Sequence, residues 1–322
     1  MTEGVAQAMN PAVAEAALRQ DLARGDAVLE SALPILRHLL TNDEHSIFAD
    51  DVIAAMRGML WDLADQLAGA VDRATPSANR AGQAAELSPV LAARLTAQSE
   101  LLGHVHALAI EAQLAMRLEA RLALDPVLSP LLQALIGSNK PEVSSAAMAV
   151  LAAQARFVQS QRRMQLPLSE LPADLLHLCL VALRQLCLET SGNEAFYSTA
   201  EADIRAAYDE GRSRLGLVSR LVSGLGGGLT AALSLSNAGV AIFLTALAAA
   251  SGQERDGVVL ATNITQSARL ALTLRAAGVK SAAIAEQLEA LHPDIALRTY
   301  HELLGPEQAA ALLAQSLPGA KA

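Results

Sequence analysis

The sequence predicts an all-α fold, and three observations predict it. Apolar residues make up 52% of the chain but aromatic ones only 2%, so the core is built from Ala, Leu, Val and Ile. Ala and Leu lose little side-chain entropy in a helix, and the aromatic residues that suit a pleated sheet are scarce. Apolar positions recur at three- and four-residue steps, and Pro, Gly, Ser, Asp and Asn punctuate them as helix starts and stops.

From the N-terminus, Asn10 and Pro11 set a cap and a first helical position, for a helix to about Arg24. Gly25-Asp26 restarts the chain, and Pro34 should kink or split residues 26–41. Residues 46–71 carry Ile47, Val52, Ile53, Met56, Leu60, Leu63 and Leu67 on one face, and the segment also holds Trp61, the only tryptophan. Residues 75–86 (TPSANRAGQAAE) are small and polar and read as a linker. Ser88-Pro89 opens a helical region to Leu124, bent near Gly103. Asp125-Pro126 starts a helix ending at Gly137, Asn139 caps the next with Pro141 in its first turn, and Ser169 caps one running to Glu189. Ser198 and Glu201 have capping-box spacing for a helix toward Arg220. Helices over 264–277, stopped by Gly278, then 281–291 and 306–317 complete the chain. At 322 residues the chain exceeds the ~250–300 at which single cores stop growing. The expected organisation is an N-terminal helical segment (1–74), a linker (75–87), a helical middle (88–190) and a C-terminal domain (191–322).

That last domain is expected to form around residues 221–253, which contain no Asp, Glu, Lys, Arg or His. The length suits a membrane span of ~20 residues, Gly224 and Gly228 have GxxxG spacing, and Arg212, Arg214 and Arg220 precede the segment. Ser223, Thr230, Ser234, Ser236, Asn237 and Thr245, and the break at Gly226-Gly227-Gly228, argue instead for a buried core of two short helices, the second over 238–250 capped by Asn237. The glycines make no phosphate cradle, because no Lys follows them and Leu229 takes the place of the third glycine of GxGxxG.

The net charge of −9 argues against a nucleic-acid surface. The first nine residues lack a basic region followed by an apolar one, so a cytoplasmic location is expected. Cys179 and Cys187 lie eight positions apart on one expected helix, about 12 Å of rise, and read as unbridged core residues in a reducing compartment. His104 and His106 point to opposite sides of a helix, which argues against a metal pair, and Glu100 and His104, four apart, read as an ordinary polar pair on a solvated face. Asp50-Asp51 lacks the third carboxylate of an aspartate-rich metal motif. His45 reads as an exposed residue at a helix head. No catalytic residue, cofactor or metal ligand set is expected. Arg156, Arg162 and Arg163, beside Phe157, form the densest positive cluster; they complement a helix C-terminus and are the candidate contacts for a partner or anion.

Residues 131–151 (LLQALIGSNKPEVSSAAMAVL) resemble one helix-turn-helix unit of the HEAT family, with Glu142-Val143 and Ala146-Ala147 matching and Ser144 in place of the usual arginine. No second copy at a fixed period occurs. More loosely, residues 270–278 (LALTLRAAG) and the run of Ala/Leu-rich helices are similar to uncharacterised bacterial all-helical proteins of HEAT-like build. The resemblance implies a non-enzymatic interaction or regulatory scaffold with a protein partner. A membrane-associated protein held by 221–253, and a helical enzyme with a site assembled from distant residues, stand as alternatives.

Overall fold

The structure is a computed structural model that describes residues 11–41, 51–76, 83–190, 194–293 and 300–316. Among them every regular element is helical and no strand occurs, so the fold is all-α. His45, Asp50 and the 191–193 loop lie outside the described residues.

The first half of the chain supplies α1 (Pro11–Thr41), α2 (Asp51–Ala74), α3 (Gln83–Ala97), α4 (Ser99–Leu122), α5 (Pro130–Ile136), α6 (Pro141–Arg162), α7 (Ala173–Glu189) and α8 (Glu194–Ala207). The second half supplies α9 (Arg214–Gly224), α10 (Leu229–Ala232), α11 (Leu235–Ser251), α12 (Arg255–Ala261), α13 (Ser267–Ala276), α14 (Ser281–Leu291) and α15 (Pro306–Gln315). One core joins α2, α3, α7, α8 and the start of α4 through residues such as Met56, Leu67, Leu91, Leu101 and Leu183. A second gathers α5, α9, α12, α13 and α14 around α11, with Phe243, Leu244 and Leu247 at its centre. A smaller third core seats Leu18 and Leu22 of α1 against Leu272 and Leu312. α4 serves the first two at once: Val105 and Leu108 enter one, Leu114 and Leu118 the other, and Ile110 packs against both. α6 does the same through Phe157 and Val150.

Several helix boundaries differ from expectation, each for a local reason. α1 runs unbroken through Gly25 and Pro34. Gly25 is there for close approach: Gln266 donates Nε2–H to its carbonyl at 2.7 Å, and a Cβ would stand 2.5 Å from Gln266 Oε1. The break expected near Gly103 falls at Gln98, where the backbone is extended. Arg37 of α1 fastens that break, donating to Ala97 O at 3.2 Å and Ser99 Oγ at 2.8 Å. Asp125 starts no helix; its carboxylate accepts the N–H groups of Val127 and Leu128 in a turn, and Ser129 caps α5 instead. Lys140, not Asn139, stands at the cap position of α6, and Ser169 lies in a 3₁₀ turn before α7. The helix expected to reach Arg220 is two, α8 and α9, parted by a 3₁₀ turn and recapped by Ser213. Ser198 sits inside α8, and Glu201 pairs with Arg184 and Arg205 in place of a capping box.

The uncharged segment divides. Ser223, Gly224 and Gly226 to Gly228 are exposed, whereas Ala238 to Ala248 are buried. α11 begins after Ser234 and kinks at Gly239 (φ +71°, ψ 167°), so Asn237 is not its cap; Asn237 Nδ2 donates to Ala231 O at 3.0 Å. Among the described residues no single helix is long and apolar enough to cross a membrane. Two bent pairs, α9 with 226–232 and α11 with α12, pass by length and composition at bends of 105° and 114°. Cys179 and Cys187 are buried and unbridged, and burial pushes the Cys179 thiol up to about 12.

Two glycine substitutions should move stability in opposite directions in a denaturant titration. Gly239→Ala puts a side chain on a backbone region that is essentially glycine-only, 3.0 Å from Ser129 Cβ, and is expected to lose about 1–3 kcal/mol. Gly103→Ala, inside α4 with nothing within 4 Å of the new methyl, is expected to gain about 0.5–1 kcal/mol.

Candidate functional site

Where the two large cores meet, α4 carries a carboxylate at an otherwise apolar position. Glu111 is 3% exposed and lies between two guanidinium groups. Arg214, the first residue of α9 and 1% exposed, donates Nη1–H and Nη2–H to its two oxygens at 2.7 and 3.1 Å. Arg255, the first residue of α12, brings Nη2 to 2.9 Å of Glu111 Oε2 and donates Nε–H to the Thr245 hydroxyl of α11 at 3.1 Å. Burial pushes the Glu111 carboxyl up, but Arg214 and Arg255 outweigh it and hold it down to about 2 from its ordinary 4.5. The other side of Arg214 stacks on Phe157 of α6, 3.7 Å from the ring centre. Its backbone N–H donates to Glu170 Oε2 at 2.7 Å, which sets a carboxylate at the α9 N-terminus. Burial pushes the Glu170 carboxyl up, against that hydrogen bond and the charges of Arg214 and Arg156.

Two turns earlier on α4, His104 Nδ1 lies 2.7 Å from Asp256 Oδ2. The solvated face expected for His104 is therefore corrected: it is 4% exposed, while His106, two positions on, is half-buried. Together the two contacts grip the first two residues of α12 from one face of α4.

Beside this network a cleft of about 360 Å³ opens between α4, α6 and the start of α2, with Val240 of α11 at its inner end. Ala109, Ala112 and Ala115 of α4 form a shelf along one wall, and Phe157 and Val158 face it from α6. Met116 and Met164, 57% and 43% exposed, line the cleft on its open side together with Arg162 and Glu119. Met164 (φ +56°) is held against α2 because Gly58 has no side chain; a Cβ there would meet Met164 Cβ at 2.5 Å. At depth the polar residues are Glu111 and Gln154. Gln154 is 7% exposed, donates Nε2–H to Pro126 O at 2.9 Å, and leaves Oε1 with no hydrogen-bond partner. A second cavity, about 440 Å³ between α1, α4, α12 and α13, holds the buried polar residues Arg269 and Thr273, but these already bond Asp26 and the Arg269 carbonyl.

The three arginines of the cluster expected from sequence are placed separately. Arg162 reaches the cleft, Arg156 faces Glu170, and Arg163 is the C-cap residue of α6; all three are exposed. Glu111, Arg214, Arg255 and Gln154 escaped sequence reasoning, although Glu111 and His104 both fall on the α4 stripe marked by Leu101, Leu108 and Leu118. Among the described residues no group of three His, Cys, Asp or Glu side chains is placed to hold a metal ion. Compared with known proteins, the chain matches no family model, no curated protein and no solved structure.

Removing the carboxylate while keeping its shape isolates its contribution. Glu111→Gln leaves two guanidinium groups buried without a counter-charge and is expected to cost about 3–5 kcal/mol near neutral pH. Because folding lowers the Glu111 pKa, its stabilisation is complete above about 4.5 and is lost as pH falls toward 2. The gap in unfolding free energy between wild type and Glu111→Gln should therefore close over that range. A gap independent of pH would mean that the charge is not what stabilises the fold. Replacing all three residues with apolar ones of similar size (Glu111→Leu, Arg214→Met, Arg255→Met) should recover most of the loss.

Proposed function

We propose that the protein is a non-enzymatic helical interaction scaffold that holds a protein partner by an apolar side chain seated in the cleft between α2, α4 and α6. The observation that carries this reading is the cleft's build: a shelf of alanines flanked by two exposed methionines, set on a frame of buried charge pairs. Interface anchors fill such desolvated pockets, and methionines adapt to the shapes presented to them. The volume falls within the ~300–1,000 Å³ of ligand clefts. Arg162 at the edge would meet an acidic group of the partner. In this reading α5 and α6 form the HEAT-type hairpin, and α6 is one wall of the groove.

A binding role is favoured over a catalytic one by the state of Glu111. It is the ionisable group at the depth of the cleft, yet two arginines hold it far below the range in which a general acid or base works at neutral pH.

The cleft can be closed without disturbing the core. Ala112→Trp fills the shelf, and Met116→Glu puts a charge on an exposed position where stability should change by less than about 0.5 kcal/mol. A partner captured by wild type should be lost from both variants while their melting curves stay near wild type. Equal capture by all three proteins would sink the reading.

A further inference from the structure

We infer that the cavity between α1, α4, α12 and α13 binds a small amphipathic organic cation, an apolar body carrying a protonated amine, at a site separate from the cleft. The core-facing stripe of α1 shows where the space is. Leu22, Leu29 and Leu36 stand seven residues apart on that helix, and the outer two are buried, in the third and first cores. Leu29 between them is only half-buried, because it lines a cavity of about 440 Å³ instead of meeting a packed neighbour. On α4 and α12 that cavity is lined by glycine. His104 and Asp256 hold the two helices together, and beside them in the chain stand Gly103 and Gly257, where an added Cβ would find nothing within 4 Å. Leu33 and Val258 extend the apolar wall, and the volume falls within the ~300–1,000 Å³ of ligand clefts.

Charge selects among apolar ligands. Glu30 and Glu254 both line the cavity and both are exposed; among the described residues neither has a hydrogen-bond or ion-pair partner. Arg269 lines it too, but its guanidinium is committed to Asp26. Asp26 lies four residues before Glu30 on α1, where like charges repel. Burial pushes the Asp26 carboxyl up; Arg269 opposes this and Glu30 adds to it. His106 completes the ionisable lining and has a partner of its own. Asp26, Glu30 and Glu254 thus leave an excess of negative charge over Arg269, which repels an anion and which a neutral ligand leaves uncompensated. An ammonium group supplies the missing charge and three donors for carboxylate oxygens, while its hydrocarbon covers Leu29, Leu33 and Val258.

The test uses the full chain with methyl-labelled leucine and valine, titrated at low ionic strength with hexylamine, which is protonated at neutral pH, and with 1-hexanol, of the same chain length and uncharged. Both probes are expected to shift the Leu29, Leu33 and Val258 methyl signals, with hexylamine binding about fivefold more tightly, the size of an exposed ion pair, and losing that advantage in high salt. In the double variant Glu30→Gln/Glu254→Gln the two probes should bind within about twofold of each other, hexanol as in wild type. Gly103→Leu, which fills the space from α4, should abolish both responses. Hexylamine binding no tighter than hexanol in wild type would overturn the cation assignment. No methyl response to either probe, or responses that survive in folded Gly103→Leu, would overturn the cavity as the site. Should Gly103→Leu fail to fold, the wild-type and double-variant titrations decide.

Discussion

A carboxylate shared by two arginines in the interior is the constraint from which the rest of this structure follows. A buried charge without its partner is costly enough that Glu111, Arg214 and Arg255 must be brought together or not buried at all. Their positions in the chain are far apart: mid-α4, the first residue of α9 and the first residue of α12. Satisfying the carboxylate therefore fixes where two later helices begin relative to one earlier helix. Phe157, stacked on Arg214, adds α6 to the same arrangement. The two large cores meet along α4, so the network sits where a shift of one core against the other would be felt most.

The cleft inherits its shape from that arrangement. α4 and α6, its long walls, are the two helices that span both cores, and the network ties them through Glu111, Arg214 and Phe157. At the other end, α2 holds the 164–168 segment through Asp62 and Gln66, which bond the backbone of Leu166 and Leu168. Alanine on one wall and methionine at the mouth then leave a recess that the backbone geometry keeps open. Larger side chains at Ala112 or Ala115 would have filled it from within.

Fold class was legible because composition and period both report on helix, and both are sums over many residues. Helix boundaries were less so, because each is settled by a few atoms. Gly25 reads as a stop and is a close approach to Gln266, 241 positions away. Asp125 reads as a cap and makes a turn instead. Gly239, inside an apolar run, gives no sign in sequence that the helix kinks there. The site was nearly invisible for a different reason. A charged residue on a helix is ordinarily solvated, so Glu111 gives no signal by itself and His104 reads as solvated, although Asp256, Arg214 and Arg255 pair with both in the interior. The sign available beforehand was that two ionisable residues seven apart occupied positions that the surrounding leucines mark as buried.

Alanine-rich packing also gives such a network something to do that hydrophobic burial does not. Short, similar side chains let helices approach closely, but they fit in several registers with little difference in energy, because one alanine face is much like another. Glu111 accepts two hydrogen bonds from Arg214 and pairs in charge with Arg255 at 2.9 Å, and a slip of one turn, about 5.4 Å, separates both pairs. The charges thus discriminate among packings that apolar area alone leaves nearly equal, even where an apolar replacement would match their net stability. As the docking surface proposed above, the cleft would need that discrimination more than extra stability, since its walls must stand at a fixed separation for one side chain to be chosen over another. The same bonds that keep the interior in register set the spacing of the shelf and the methionines.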